Sequence, residues 1–112
     1  MIKLTVLVKR NPALSVEEFH DAWRAHGRMI ADEPVFRRCI RRYEQHHRVI
    51  EDYRNGDRYD GMAVQWFDSY RDFLALLDTD EYRTKMAPDE ERLLDLAGMA
   101  ILFTEEAEVF IA

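Results

Sequence analysis

Four side chains of types that transfer protons lie in the first 60 residues of the chain: His26, Tyr43, His47 and Asp60. Histidine titrates near neutral pH and can act as a general acid or base. A tyrosine hydroxyl can donate a hydrogen bond to a carbonyl or a developing enolate. A carboxylate can orient an imidazole, although Asp60 precedes a glycine and is equally typical of a turn. These residue types indicate either proton-transfer chemistry without a cofactor or plain ligand binding.

His26 lies in the segment that organises the rest of the chain, SVEEFHDAWRAHGRMI, which begins at Ser15. Ser15 followed by Glu18 three residues later predicts a helix start closed by a capping box. A stripe on one side of that helix is formed by Phe19, Trp23, His26 and Ile30. His26 is therefore either a packed core residue or a proton-transfer group, and Trp23, one turn earlier, could form the wall of a pocket.

Strand-like and helix-like segments alternate along the chain. We expect strands over 1–10, 36–49, 59–68 and 99–111, the last interrupted near Thr104, with helices over 16–32, 70–77 and from Pro88, and a polar loop over 51–58. The order β-α-β-β-α-(α)-β predicts an α+β protein with the ferredoxin-like split βαβ fold. Its four-stranded antiparallel sheet carries helices on one face only. Nothing in so short a chain remains to cover the other face, so a second copy is expected there, forming a homodimer.

Composition limits the possible partners. The chain has 112 residues and a net charge of −6, which suits one domain over residues 1–112 and argues against nucleic-acid binding. No segment has the apolar length of a membrane span or the pattern of a signal peptide. The single cysteine, Cys39, fits a reducing cytoplasm. One local exception to the acidic balance is an arginine cluster that is either solvated or a site for an anionic ligand group: Arg37, Arg38, Arg41, Arg42 and Arg48.

A metal site is not expected. His46 and His47 are adjacent, and adjacent strand residues point to opposite faces of a sheet, so the two cannot chelate one ion. No Cys/His spacing of a zinc site is present. A haem site would need an iron ligand, and the helix predicted over 70–77 contains no histidine.

Several of these segments together resemble the EthD family of the dimeric α/β-barrel superfamily. The resemblance covers nearly the whole chain and is carried by Lys9-Arg10, Ser15, Glu18, Phe19, Trp23, His26, Tyr43, Gln45, His47, Asp60-Gly61, Trp66-Phe67-Asp68, Pro88-Asp89-Glu90, Asp95 and Thr104-Glu105. It departs from the family pattern at His46, where a polar amide is more frequent, and at Leu93-Leu94, where an aromatic is expected.

The resemblance implies a homodimeric barrel with a pocket between sheet and helices in each subunit. It also implies that His26 and His47 form an acid/base pair assisted by Asp60 and Tyr43. Fungal relatives include dehydratases and decarboxylases of aromatic polyketides. The first hypothesis is therefore an enzyme without cofactor that dehydrates, cyclises, decarboxylates or isomerises a small aromatic or polyketide-like molecule. The second is a non-catalytic binder of a small hydrophobic molecule or an accessory protein of a degradation pathway. The predicted ligand contacts are Trp23, Met62, Trp66 and Arg41.

Overall fold

The computed structural model describes all 112 residues. Its strands are β1 (Ile2–Val8), β2 (Arg42–His47), β3 (Gly61–Phe67) and β4 (Ala100–Thr104), and its helices are α1 (Val16–Asp32), α2 (Pro34–Cys39), α3 (Tyr70–Leu77) and α4 (Ala87–Leu93). Short helical turns occupy Ile50–Asn55, Tyr82–Met86 and Leu96–Gly98. None of the helices combines the length and the apolar character that a membrane crossing requires.

The four strands form one antiparallel sheet in the order β2-β3-β1-β4. The two central strands, β1 and β3, are joined through the α1–β2 unit, and each edge strand pairs with one of them. This is the split βαβ arrangement of the ferredoxin-like fold. The α+β class, the antiparallel sheet and the placement of the helices on one face are confirmed.

The two faces of the sheet differ in what covers them. On the covered face, Leu4 and Val8 of β1 are only 6% and 2% exposed and pack against the helices. The strand register places Leu7 beside Met62, and Lys3 beside Trp66, on the opposite face. Part of that opposite face, which we call the open face, is apolar, and nothing in the chain covers it.

Helix α1 begins and ends where the sequence predicts. Both hydrogen bonds of the capping box are present: Glu18 N donates to Ser15 Oγ at 3.1 Å, and Ser15 N donates to Glu18 Oε1 at 2.8 Å. The buried side of the helix contains the expected stripe and, in addition, His20. Helix α1 therefore carries two buried imidazoles instead of one.

The strand predicted over 36–49 is wrong in its first half, because Pro34–Cys39 is helix α2. The carboxylate of Glu33 accepts the backbone N–H of Val35, and Pro34 supplies a backbone φ that suits a first helical turn. Phe36 is then fully buried in the core. The proline that ends α1 also starts the next helix, so β2 begins only at Arg42.

The C-terminal strand is also shorter than expected, and the predicted loop is partly helical. Strand β4 ends at Thr104, and the side chains of Phe110 and Ile111 are 90% and 94% exposed because no strand of this chain lies beside them. Within the loop expected over 51–58, the 3-10 turn Ile50–Asn55 forms instead. Gly56 then adopts a φ of 118°, a conformation that favours glycine.

Candidate functional site

The two buried histidines of α1 lie on different sides of the helix. His20 and His26 are six residues apart, which at about 100° per residue separates them by roughly 120° around the axis. Both are nearly buried, at 6% and 5% exposed. His20 faces the end of β2, whereas His26 faces α4. They belong to two separate hydrogen-bonded clusters.

His20 is part of a continuous series of hydrogen bonds that we call the proton chain: Asp60, Tyr53, His20, His47 and Gln45. Tyr53 Oη lies 2.7 Å from Asp60 Oδ1 and 3.0 Å from His20 Nε2. His20 Nδ1 lies 2.7 Å from His47 Nδ1. His47 Nε2 in turn lies 2.9 Å from Gln45 Oε1. Four consecutive contacts thus join the start of β3 to the middle of β2.

The Asp60 end of the proton chain is held by the backbone after β1. Asp60 is 1% exposed, and its Oδ2 accepts the backbone N–H of Arg10 at 2.8 Å. The Arg10 guanidinium lies 3.4 Å from Oδ1 of the same carboxylate. A buried carboxylate is stable only with such partners. Asp60 is therefore a fixed component of the site. A residue that only forms a turn would not need partners for both of its carboxylate oxygens.

At the Gln45 end of the proton chain, the neighbouring hydrogen-bond partners allow only one orientation of the Gln45 side-chain amide. Gln45 Nε2 donates to the backbone carbonyl of Trp23 at 2.7 Å and to Tyr43 Oη at 2.8 Å. Helix α1 approaches β2 closely here, since a Cβ on Gly27 would lie 2.7 Å from Gln45 Nε2. The amide oxygen is consequently aimed at His47.

Tyr53 is positioned by Arg48, a member of the sequence's arginine cluster. The Arg48 guanidinium donates to the Asp52 side chain at 2.7 Å and to the backbone carbonyls of Gly56 and Tyr59 at 2.7 and 3.1 Å. It also stacks 4.3 Å above the Tyr53 ring. Arg48 therefore builds the turn that carries Tyr53, and it is largely consumed by that role.

A groove of about 760 Å³ exposes the two imidazoles to solvent. Its walls are the start of α1 and the segment that follows β2. The lining residues are Glu17, His20, Asp21, Arg24, His47, Arg48, Val49, Ile50 and Glu51. On the inner side of His47, the Trp23 ring lies 4.5 Å away, centroid to centroid. The groove is large enough for a small organic molecule and has titratable groups on its floor.

Burial opposes charge on these groups. Burial lowers the pKa of His47 to about 4, helped by the positive charge of Arg24 and by His20. Burial also lowers the pKa of His20, although Asp60 acts in the opposite direction. Burial raises the pKa of Tyr43 to about 12 and, together with Asp60, raises that of Tyr53. Strongly shifted titratable groups in a groove are typical of functional sites.

His26 forms a second cluster with α4. His26 Nδ1 lies 2.7 Å from Asp89 Oδ2, beside a shallow cavity of about 540 Å³. Burial lowers the pKa of His26, and the hydrogen bond to Asp89 only partly offsets this. Hydrogen bonds from Arg92 and His26 lower the pKa of Asp89 although burial acts against them. A neutral imidazole that donates to an ionised carboxylate satisfies both groups.

The structure brings together part of the predicted site. His47 and Asp60 belong to one proton chain, Tyr43 adjoins it through Gln45, and Trp23 packs against His47. Asp60 contacts no imidazole directly, because Tyr53 stands between it and His20. The catalytic roles assigned to these residues stay predictions.

The other predicted site residues lie elsewhere. His26 is in the second cluster, so it does not pair with His47. Met62 and Trp66 are on the open face of β3, across the sheet from Trp23, so these three cannot line one pocket within a chain. Arg41 precedes β2 and binds Asp68 at 2.7 Å, with about half of each side chain exposed. It borders a different cavity, of about 380 Å³, next to α2.

Sequence reasoning missed His20 and Tyr53 as site residues. His20 precedes Trp23 by three residues, so its position on the buried side of α1 was readable from the helical period. Tyr53 offered no comparable signal, since it lies in a polar segment without periodicity. No group of three or more His, Cys, Asp or Glu side chains comes together in a way that could hold a metal ion.

Comparison by sequence identifies a family. The family model described as the EthD domain matches residues 11–97. That match includes every residue of the proton chain. No curated protein matches the chain by sequence.

Comparison by structure identifies ferredoxin-like relatives at low identity. A dimeric protein of unknown function from Bacteroides fragilis has a TM-score of 0.70 and 18% identity, with 94% of this chain and 95% of that chain covered. A protein from Arabidopsis thaliana has a TM-score of 0.69 and 13% identity, with 99% and 100% covered. A dimeric ferredoxin-like protein from Thermobifida fusca has a TM-score of 0.63 and 17% identity, with 92% and 88% covered. At these identities the likeness establishes the fold.

Proposed function

The chain belongs to the EthD family, and from this premise and the geometry of the groove we propose that it is an acid/base enzyme without cofactor. Its substrate would be a small aromatic or polyketide-like molecule, and its reaction a dehydration, cyclisation, decarboxylation or isomerisation. All four reactions require a proton to be removed from one atom and delivered to another. The proposal therefore assigns the chemistry to groups that exchange protons.

The observation that carries the proposal is the contact between the buried imidazole of His20 and the partly buried imidazole of His47 at the floor of the groove. His20 Nδ1 and His47 Nδ1 are 2.7 Å apart, so one proton is shared between groups that can each release or accept it. Burying polar groups of this kind is costly unless they are hydrogen-bonded. A proton-transfer role explains why the pair faces a groove.

The groove also contains a group that suits an anionic ligand. Arg24 lies on the groove wall of α1, and half of its side chain is exposed, with only a long contact of 3.4 Å to Asp21. A phenolate, carboxylate or enolate could bind this guanidinium while its reacting atom faces His47. The proposal therefore places Arg24 as a ligand contact and His47 as the group nearest the reacting atom.

Deuterium exchange tests the proposal without knowledge of the natural substrate. A panel of hydroxylated aryl methyl ketones would be incubated with the protein in heavy water, and loss of the methyl proton signal followed by NMR. Removal and return of an α-proton is the minimal acid/base reaction. We expect exchange above the buffer rate, reduced about 100-fold by His47→Gln.

His46→Gln is the matched control, because His46 is the neighbouring histidine but lies on the open face, bonded to Glu44. It should exchange at the wild-type rate. Exchange at the buffer rate with every ketone would contradict the enzymatic proposal. If those ketones nevertheless quenched tryptophan fluorescence on binding, the result would favour the non-catalytic binder.

We also propose that the chain forms a homodimer through the open face. Two of the structural relatives are described as dimeric. The open face of this chain presents an apolar patch that no other element covers: Leu7, Met62, Trp66 and Leu102. Leu102 is 62% exposed in the single chain, which a second copy of the sheet would correct.

A pair of variants on one strand tests the dimer. Leu102→Lys places a charge on the open face, whereas Ile101→Lys places it on the other face of the same strand at a site that is 61% exposed. We expect Leu102→Lys to weaken self-association at least tenfold in sedimentation equilibrium and Ile101→Lys to leave it unchanged. Equal effects, or a monomeric wild type, would refute the interface.

A further inference from the structure

We propose that the proton chain holds one proton more than its neutral groups supply, shared between the Asp60 end and the His20–His47 pair. The inference comes from a count of donors and acceptors along four contacts whose ends are both fixed. Each hydrogen bond requires one proton between its two heavy atoms.

The ends of the proton chain both act as acceptors. At one end, Gln45 Nε2 faces the Trp23 carbonyl, which cannot donate, so Gln45 Oε1 must face His47 and accept from it. Reversing the amide would set two oxygens against each other at 2.7 Å. At the other end, an ionised Asp60 carboxylate can only accept. The protons must therefore come from the three groups in between.

Three groups lie between these ends, and they bring one proton fewer than the contacts require. Tyr53, neutral His20 and neutral His47 each supply one proton, which makes three for four contacts. With three protons, one contact would place two lone pairs against each other at 2.7 to 3.0 Å in a partly buried site. A fourth proton removes the conflict and restores every hydrogen bond.

The additional proton has two positions that satisfy all four contacts. In the first, His20 is an imidazolium that donates to Tyr53 and His47, while Tyr53 donates to the Asp60 carboxylate. In the second, the Asp60 carboxyl donates to Tyr53, Tyr53 donates to His20, and both imidazoles are neutral. Short shifts within two hydrogen bonds interconvert the two positions. In the second position both imidazoles are neutral, which agrees with the burial that lowers the pKa values of His20 and His47.

Charged groups on every neighbouring element bear on this balance. Asp60 and Asp21 favour a proton on His20, whereas Arg24 and Arg10 disfavour it. Arg24 also disfavours a proton on His47. The other charged groups that line the groove are Glu17, Arg48 and Glu51. The buried Asp60 lies at the far end, where the positive charge of the additional proton is balanced.

If the proposed function is correct, the additional proton determines which step comes first: the enzyme donates a proton to its substrate before it removes one. A site that already stores a proton begins its cycle as an acid, with Asp60 as the buried reservoir. Both ring nitrogens of His47 are hydrogen-bonded, to His20 and to Gln45, so a substrate in the groove would receive the proton by taking the place of Gln45 Oε1 at His47 Nε2. The substrate would be a molecule that must first accept a proton, such as a carbonyl compound or an alcohol that loses water. Asp60, Tyr53 and His20 then act as positioning residues for His47.

Two variants remove the need for the fourth proton while changing few atoms. Asp60→Asn supplies an N–H to Tyr53 and keeps an oxygen for the Arg10 backbone, so four contacts then have four protons without an additional one. Tyr53→Phe deletes two contacts and leaves two protons for the remaining two. The control Tyr59→Phe removes a hydroxyl from the same region but outside the proton chain.

The test is the pH dependence of unfolding between about pH 7 and 8.5, where unfolded Asp is ionised and unfolded His is largely neutral. The small remaining protonation of the unfolded histidines is common to the wild type and the variants. A native state that binds one more proton than the unfolded state loses stability as pH rises, tenfold per pH unit in the unfolding equilibrium constant. Relative to Asp60→Asn or Tyr53→Phe, the constant of the wild type should rise about thirtyfold over this range. The Met1 amino group and Cys39 also titrate nearby, but they are common to all variants and cancel.

A constant ratio between wild type and both variants across this range would overturn the inference, as would a Tyr59→Phe variant that behaves like Tyr53→Phe. Tyr53→Phe serves as the second measurement if Asp60→Asn fails to fold. The outcome is separable from the proposed function. If the ketone protons exchange but the ratio of unfolding constants stays constant, the protein is an enzyme that does not hold the additional proton. If the ratio rises but no exchange occurs, the protein holds the additional proton but is not the proposed enzyme.

Discussion

Two histidine contacts of equal length on one helix have different consequences. His26 Nδ1 lies 2.7 Å from the Asp89 carboxylate, and His20 Nδ1 lies 2.7 Å from the imidazole of His47. Burial lowers the pKa of all three imidazoles. Burial and a shifted pKa therefore do not distinguish the two clusters.

The two clusters differ in the hydrogen-bond partner of the α1 histidine. The His26–Asp89 contact has one donor and one acceptor, so a neutral imidazole and an ionised carboxylate complete it locally. The His20–His47 contact joins two groups of the same kind, and its proton count depends on Asp60 and Gln45 at the two ends. The first cluster is suited to fastening α1 to α4, and the second is suited to moving a proton. The comparison predicts that the two clusters respond in opposite ways to substitution.

His26→Ala should have the largest effect on stability. It removes a side chain that is only 5% exposed, and it leaves a cavity and one oxygen of the Asp89 carboxylate without its histidine donor. We expect a loss of about 2–4 kcal/mol in the free energy of unfolding, measured by urea denaturation. Exchange activity per folded molecule should fall far less than in His47→Gln.

The pH dependence of the same variant has a definite sign. Burial lowers the pKa of His26 in the folded state, so below about pH 6.5 the unfolded chain binds protons that the folded chain resists. The wild type should lose stability as pH falls through this range, and His26→Ala should lose less. If His26→Ala abolished exchange while remaining folded, the division between the two clusters would be wrong.

The sequence predicted most of the fold because the determinants are local. Ser15 and Glu18 define the start of α1, and the alternation in β1 determines which of its sides is buried. The predictions of secondary structure are wrong where one local sequence pattern is compatible with two structures. Pro34 can end one helix and begin another, and the apolar residues at 109–111 have the composition of a strand but no neighbouring strand in the chain.

The candidate site was less predictable because it depends on contacts between distant residues. His47 and Asp60 were identifiable by type, but the link between them passes through Tyr53, 33 residues after His20. The apolar character of Met62 and Trp66 predicts a place in the pocket, but the sheet register places both side chains on the open face. Residue type indicates which chemistry is possible, whereas strand register and loop conformation determine which residues come together in one site.

Gly27→Ala offers a smaller and more selective change. Replacing glycine within a helix should gain about 1 kcal/mol, but the new Cβ would lie 2.7 Å from Gln45 Nε2 and displace that amide. Because the amide orients His47, we expect exchange activity to fall about tenfold while the free energy of unfolding changes by less than about 1 kcal/mol. Arg28→Ala, one residue later on the exposed side of α1, is the control and should retain activity. Full activity in Gly27→Ala would show that Gln45 does not position His47.

Arg41→Ala should have the smallest effect, and it decides whether this arginine takes part in ligand binding. The Arg41–Asp68 ion pair is half exposed, so its loss should cost no more than about 0.5 kcal/mol in the free energy of unfolding. Six residues of extended chain separate Arg41 from His47, a distance of about 20 Å. A small molecule bound in the groove cannot span that distance, so the ketone concentration that half-saturates exchange should not change, whereas Arg24→Ala should raise it severalfold. An increase in Arg41→Ala instead would place the ligand in the 380 Å³ cavity beside α2 and separate it from the histidine pair.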